Sequence, residues 1–202
     1  MKIKICGITR LEDVSKCETS GTNLMGFVNI RKSKRFVTLQ EIITIISNMK
    51  EKNRAVLVLE PDNPEEVVMK MKKTGIRTVE LHSLTYNQIK YLKWIESFQR
   101  TPLERNITII RAIEISPESM DTKNNNKFSI SKLKEIENFA KTCDGLLLNN
   151  QIKSKDTTFQ IPTPIILEAV KIAKNINPNI KILLTGGINP QNINDTKTLE
   201  NL

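Results

Sequence analysis

Seven short apolar runs limit what this chain can fold into. KIKICGI (2–8), NLMGFVNI (23–30), AVLVLE (55–60), RTVELH (77–82), ITIIRAIEI (107–115), GLLLN (145–149) and IKILLTG (180–186) each have strand character. Segments with helical spacing lie between them, so strands recur every 20 to 40 residues. Strict strand–helix alternation implies a parallel sheet with right-handed crossovers. Two architectures satisfy it, an open doubly wound sheet and a (β/α)₈ barrel.

The helix boundaries carry their own signals. Thr9-x-x-Glu12 and Thr38-x-x-Glu41 read as capping boxes, in which a hydroxyl and a carboxylate satisfy orphan amides of the first turn. Asn63-Pro64, Thr163-Pro164 and Asn189-Pro190 each put a capping side chain before a proline at the first helical position. Gly21 and Gly75 sit where helices should stop. Ile42, Ile45, Ile46 and Met49 form one apolar stripe, and Leu133, Ile136, Phe139 and Ala140 another. Residues 120–128 and 150–158 read as polar loops.

No G-x-G-x-x-G follows the first strand, which weakens the dinucleotide-binding version of the open sheet. Strand counting favours a TIM (β/α)₈-type barrel lacking its eighth β/α unit. Residues 188–202 read as a seventh helix. The 202 residues form a single expected domain, 1–202, near the lower limit of about 200 for a barrel. An incomplete C-terminus is one explanation of the missing strand, since an open barrel leaves two sheet edges uncovered.

Composition excludes several other classes. No stretch is long and apolar enough to span a bilayer, and the N-terminus enters a strand pattern rather than a signal peptide. Cys6, Cys17 and Cys143 are too widely spaced for a disulfide framework or a zinc site, which suits a reducing cytoplasm. The net charge of +9 invites a nucleic-acid partner, but the bases are scattered over helix surfaces and aromatics make up only 4%, too few for a stacking platform. With 20 Asn and 28 Ile, the Lys/Asn/Ile bias fits AT-rich coding. The expected partner is a small anionic molecule rather than a nucleic acid or a membrane.

Strand parity sorts the candidate reactive groups, which in a barrel stand at the C-terminal ends of strands and point inward. Lys4 and Cys6 share a face of the first strand, opposite Ile3 and Ile5. A lysine makes no sense against the helices, so the Lys4/Cys6 face is expected inside. Cys6 is then either a thiolate tuned by Lys4 or a small buried thiol. Glu80 shares a face with His82, the only histidine, which is either a site residue or a structural one. Arg111, on the face of Ile109 and Ile113, needs an anionic partner, either Glu80 or a ligand. Asn149 tips the sixth strand. Arg35 closes the basic loop RKSKR (31–35), where a guanidinium can grip a carboxylate in two places or simply be solvated. Gly186 and Gly187, in TGGINP, offer bare amides at a strand-to-helix turn, a place where phosphate is often held.

KICGITRLED, GFVNIRKSKR, VELHS and LLTGGINPQNI, in this order and spacing, resemble the phosphoribosylanthranilate isomerase family of tryptophan biosynthesis, from residue 2 to about 193. The resemblance implies a barrel enzyme that performs an Amadori rearrangement of N-(5′-phosphoribosyl)anthranilate without metal or cofactor. It implies Cys6 as general base and Arg35 on the anthranilate carboxylate. It implies phosphate binding at Gly186 and Gly187, and substrate contacts from His82 and Arg111. Asn149 occupies the position of the family's general-acid aspartate. Asparagine copies that shape but carries no acidic proton. Asn29 stands for a family aromatic, Glu80 for glutamine and Ser83 for glycine, and the family's last strand with its phosphate-binding segment has no counterpart before Leu202. Three functional readings follow: an isomerase in which Asp156 or another acid substitutes, a silent relative that still binds a phosphorylated ligand, and, more distantly, a basic nucleic-acid module. Oligomeric state cannot be read from the sequence.

Overall fold

Every apolar run becomes a strand in the computed structural model; six are trimmed at one or both ends, and GLLLN is extended by one residue to Asn150. The structure describes residues 2–99, 107–116, 119–121, 127–151, 164–189 and 193. The strands are β1 (Lys4–Cys6), β2 (Leu24–Val28), β3 (Ala55–Leu59), β4 (Thr78–Leu81), β5 (Thr108–Ile115), β6 (Gly145–Asn150) and β7 (Lys181–Thr185). The helices are α1 (Leu11–Thr19), α2 (Leu39–Ser47), α3 (Pro64–Thr74), α4 (Tyr86–Gln99), α5 (Ile130–Thr142) and α6 (Pro164–Ile176). Among the described residues no helix is long and apolar enough to cross a membrane.

The chain divides into two compact units, Lys2–Ile110 and Arg111–Leu202. In the first, β1 to β4 pair in chain order, all parallel. The register aligns Cys6 with Gly26, Gly26 with Val56 and Val56 with Thr78; two residues further on, Val28 aligns with Val58 and Val58 with Glu80. These residues therefore share one face. β3, AVLVL, is buried on both faces, the signature of a parallel strand covered on each side. In the second unit β6 pairs in parallel with β7, from Gly145 opposite Lys181 to Asn149 opposite Thr185. β5 runs through the boundary: the Thr108 amide donates to Arg77 O within the first unit, and the Gln151 amide donates to Ile115 O within the second.

One ion pair reports the curvature of the first unit. Lys4 Nζ lies 2.7 Å from Glu80 Oε2, although β2 and β3 separate their strands. In a flat sheet three strand spacings of about 4.8 Å would hold β1 and β4 some 14 Å apart, with side chains standing nearly perpendicular. The contact requires the Lys4/Glu80 face to be concave. That is the interior face expected from strand parity. On the opposite face Val79 and Leu81 are fully buried, whereas Ile5 of β1 and Ile3 just before it remain 42% and 41% exposed.

The helix signals were not equally informative. Thr38 and Glu41 form the complete capping box of α2, and Asn63 accepts from the Glu66 amide to cap α3. The Thr9–Glu12 box does not form. α1 starts later, with Arg10 at the N-cap and no side-chain cap. The reason lies upstream: the amides of Gly7 and Ile8 both donate to Gly26 O, so the chain is still tied to β2 when a box at Thr9 would have to begin. Gly75 closes α3 in a left-handed conformation as expected. Ile42, Ile45, Ile46 and Met49 are all buried, as are Ile136, Phe139 and Ala140, while Leu133 is half-buried. Thr163, Asp156 and most of the seventh helix read from the sequence lie outside the described residues; Ile193 N–H donates to Asn189 O.

Candidate active site

The end of β1 is built around two glycines. A Cβ on Gly26 would stand 3.0 Å from Cys6 Sγ, so the bare backbone of β2 gives the thiol its room. Gly7, with φ +90°, turns the chain away directly after Cys6. The Arg35 side chain lies across that turn, where a Cβ on Gly7 would meet Arg35 Cδ at 2.3 Å. Arg35 Nη1 donates to Cys6 O at 2.8 Å. One of five guanidinium N–H groups is thus used to fix the arm, and the others remain to grip an anion. The loop that delivers Arg35 is pinned by Asn29, whose Nδ2 donates to Val37 O at 2.8 Å. The basic loop and the cysteine, 29 residues apart in sequence, are brought together.

On the same concave face, Glu80 is 1% exposed. Its two oxygens are divided between neighbours: Oε2 takes Lys4 Nζ at 2.7 Å and Oε1 faces His82 Nε2 at 3.2 Å. Burial pushes the Glu80 carboxyl up, but the His82 hydrogen bond and the Lys4 charge and hydrogen bond together outweigh it, holding the group below its ordinary value. His82 is held at the backbone by its amide donating to Leu59 O. The turn after it is fixed by Ser83 Oγ donating to Pro61 O, and by Leu84, a non-glycine residue at φ +75°. Lys4 is thus the ion-pair partner of Glu80.

In the second unit the expected positions divide. Asn149 is half-buried near the end of β6, opposite Thr185. Gly186 and Gly187 both take positive φ, and a Cβ on Gly186 would lie 2.2 Å from Asn150 O, so only glycine fits that turn. Arg111 does not point where parity suggested. Its guanidinium stacks over the Phe139 ring of α5 at 4.9 Å, and Nη1 donates to Ala112 O. Burial lowers its pKa while Glu135, Cys143 and Glu114 oppose the shift. Within the second unit the partly buried guanidinium thus gains a cation–π contact with an aromatic face on α5.

Sequence reasoning missed the Lys4–Glu80 pair and the part played by Gly26. Both left a trace: opposite charges on the inward faces of two strands, and a glycine inside a strand pattern.

No protein-family model matches the chain. It is 26% identical over 191 residues, 95% of its length, to an N-(5′-phosphoribosyl)anthranilate isomerase of Methanothermobacter thermautotrophicus, of which it covers 72%. Its likeness over nearly the whole chain is to phosphoribosylanthranilate isomerases. A solved phosphoribosylanthranilate isomerase from Thermus thermophilus matches it with a TM-score of 0.69 at 22% identity, covering 99% of this chain and 84% of the other. A further isomerase, solved with reduced 1-(o-carboxyphenylamino)-1-deoxyribulose 5-phosphate, matches with a TM-score of 0.54 at 20% identity, over 95% and 91% of the two chains. Those two likenesses establish the TIM-type (β/α) barrel fold.

Proposed function

We propose that this chain is a working phosphoribosylanthranilate isomerase, converting N-(5′-phosphoribosyl)anthranilate to the 1-amino-1-deoxyribulose phosphate in cytoplasmic tryptophan biosynthesis. The observation that carries the reading is the Arg35–Cys6 contact, on the concave face that also holds Lys4, Glu80 and His82. It sets a carboxylate-gripping group beside a thiol, as the substrate's anthranilate carboxylate and acidic C2 hydrogen require.

The roles divide by chemistry. Arg35 holds the anthranilate carboxylate. Cys6, as thiolate, takes the C2 proton of the ring-opened iminium, and electrons return to nitrogen as the C1–C2 double bond forms. The resulting enol relaxes to the ketone, so the reaction is an isomerisation that consumes no cofactor. The Gly186–Gly187 turn is assigned to the substrate phosphate. His82 borders the ribose.

A second reading is favoured by Asn149, which carries no acidic proton: a silent relative that binds the phosphorylated substrate and does not turn it over. The decisive measurement follows anthranilate fluorescence during incubation with phosphoribosylanthranilate. The native chain turns over and Cys6→Ala loses at least about 100-fold in kcat. Binding without turnover, with activity appearing only in Asn149→Asp, would favour the silent relative.

A further inference from the structure

Opening the ribose ring needs a proton on the ring oxygen, and the carboxamide of Asn149 cannot supply one. The buried carboxylate of this site stands instead on β4, behind the only histidine of the chain. Glu80 Oε1 faces His82 Nε2 at 3.2 Å, while Lys4 holds Oε2 at 2.7 Å and keeps the carboxylate in place. With Nε2 turned to Glu80, Nδ1 is the nitrogen left to face a ligand. The His82 side chain is 33% exposed and follows Glu80 on the face that bears Cys6, whereas Glu80 itself is sealed from solvent. This is an orienting carboxylate behind an imidazole, the arrangement that lets an imidazole hold and release a proton.

Resting on the isomerase reading, we propose that His82, oriented by Glu80, is the general acid that opens the ribose ring, so that acid and base both lie in the first unit. In this step Nδ1–H protonates the ring oxygen as the C1–O bond breaks. The anthranilate nitrogen lone pair forms the C1–N double bond, the ring oxygen leaves as a hydroxyl, and His82 is left neutral. Cys6 then removes the C2 proton. The enol takes a proton at C1 as its hydroxyl proton leaves, and solvent returns the Cys6 proton to His82, so the protons balance over the cycle. His82 is the catalytic residue and Glu80 a positioning residue that acts through it.

The test measures kcat for the native chain, His82→Gln, Glu80→Gln and the double variant. Affinity for reduced 1-(o-carboxyphenylamino)-1-deoxyribulose 5-phosphate is measured alongside by titration, which also shows that each variant is folded. His82→Gln is expected to lose at least about 100-fold in kcat, to keep the analogue affinity within a few-fold, and to regain activity with added imidazole. Glu80→Gln lowers kcat in the native background and has little further effect when His82 is already glutamine, because its action runs through that ring. The proposal is overturned if the native chain turns over and His82→Gln stays within ten-fold of it. It is equally overturned if the two substitutions multiply independently. A native chain that neither turns over nor binds the analogue would overturn the isomerase reading itself, an outcome distinct from either of these.

Discussion

Glu80 shows how one residue joins fold and chemistry. Its carboxylate is buried and held by Lys4 and His82; burial raises its pKa, but their combined hydrogen bonds and charge outweigh it and the pKa is depressed. A depressed folded value means that the stabilisation is fully present above the unfolded value of 4.5 and is lost as pH falls below it through the folded value. Urea titrations of the native chain should therefore show stability falling on acidification below that point, and Glu80→Gln should flatten the fall. Glu80→Ala at neutral pH should cost about 3–5 kcal/mol by leaving Lys4 buried without its partner. The sequence made the pair readable only in part. Parity put Lys4 and Glu80 on inward faces, but it left Glu80 or a ligand open as the partner of Arg111 and did not pair Lys4 with Glu80. Strand alternation says which side a residue faces, not how far a lysine reaches across a curved sheet or that a phenylalanine on α5 will draw an arginine outward.

Among the elements, two cap motifs of the same pattern met different fates. Thr38 and Glu41 complete a box at the start of α2, with the Thr38 amide and hydroxyl both donating to Glu41 Oε2. Thr9 lies before the helix it was expected to start, because Gly7 and Ile8 are still bound to Gly26. Thermal unfolding should separate them: Thr38→Ala loses about 1 kcal/mol and Thr9→Ala stays close to the native chain. A four-residue motif carries the helix signal, but whether the backbone is free to adopt it depends on the strand before it. The same reasoning explains why strand positions were read well. Their pattern repeats over several residues, and pairing with a neighbour reinforces it rather than competing with it.

For the molecule as a whole, alternation was the most legible feature, and the parallel order β1 to β4 follows from it directly. Burial across the sheet was less legible. Leu81 is fully buried, while Ile5, an equally apolar residue on the helix-facing side of its strand, is 42% exposed. Leu81→Ala should cost about 2–5 kcal/mol in a denaturant titration. Ile5→Lys should leave stability nearly unchanged, because water already reaches that side chain. Equal losses at the two positions would show that Ile5 is covered in solution.

The Lys4–Glu80 bond joins residues 76 apart in sequence. Chain entropy opposes so distant a contact until the intervening strands have been laid down, so the bond belongs to the slow, late part of folding. A nascent chain that has paired only β3 with β4 already carries His82 and Glu80, but lacks the ammonium that fixes the carboxylate. Acid catalysis in this protein therefore matures with the closure of its first four strands, and refolding chains should recover compactness before they recover turnover.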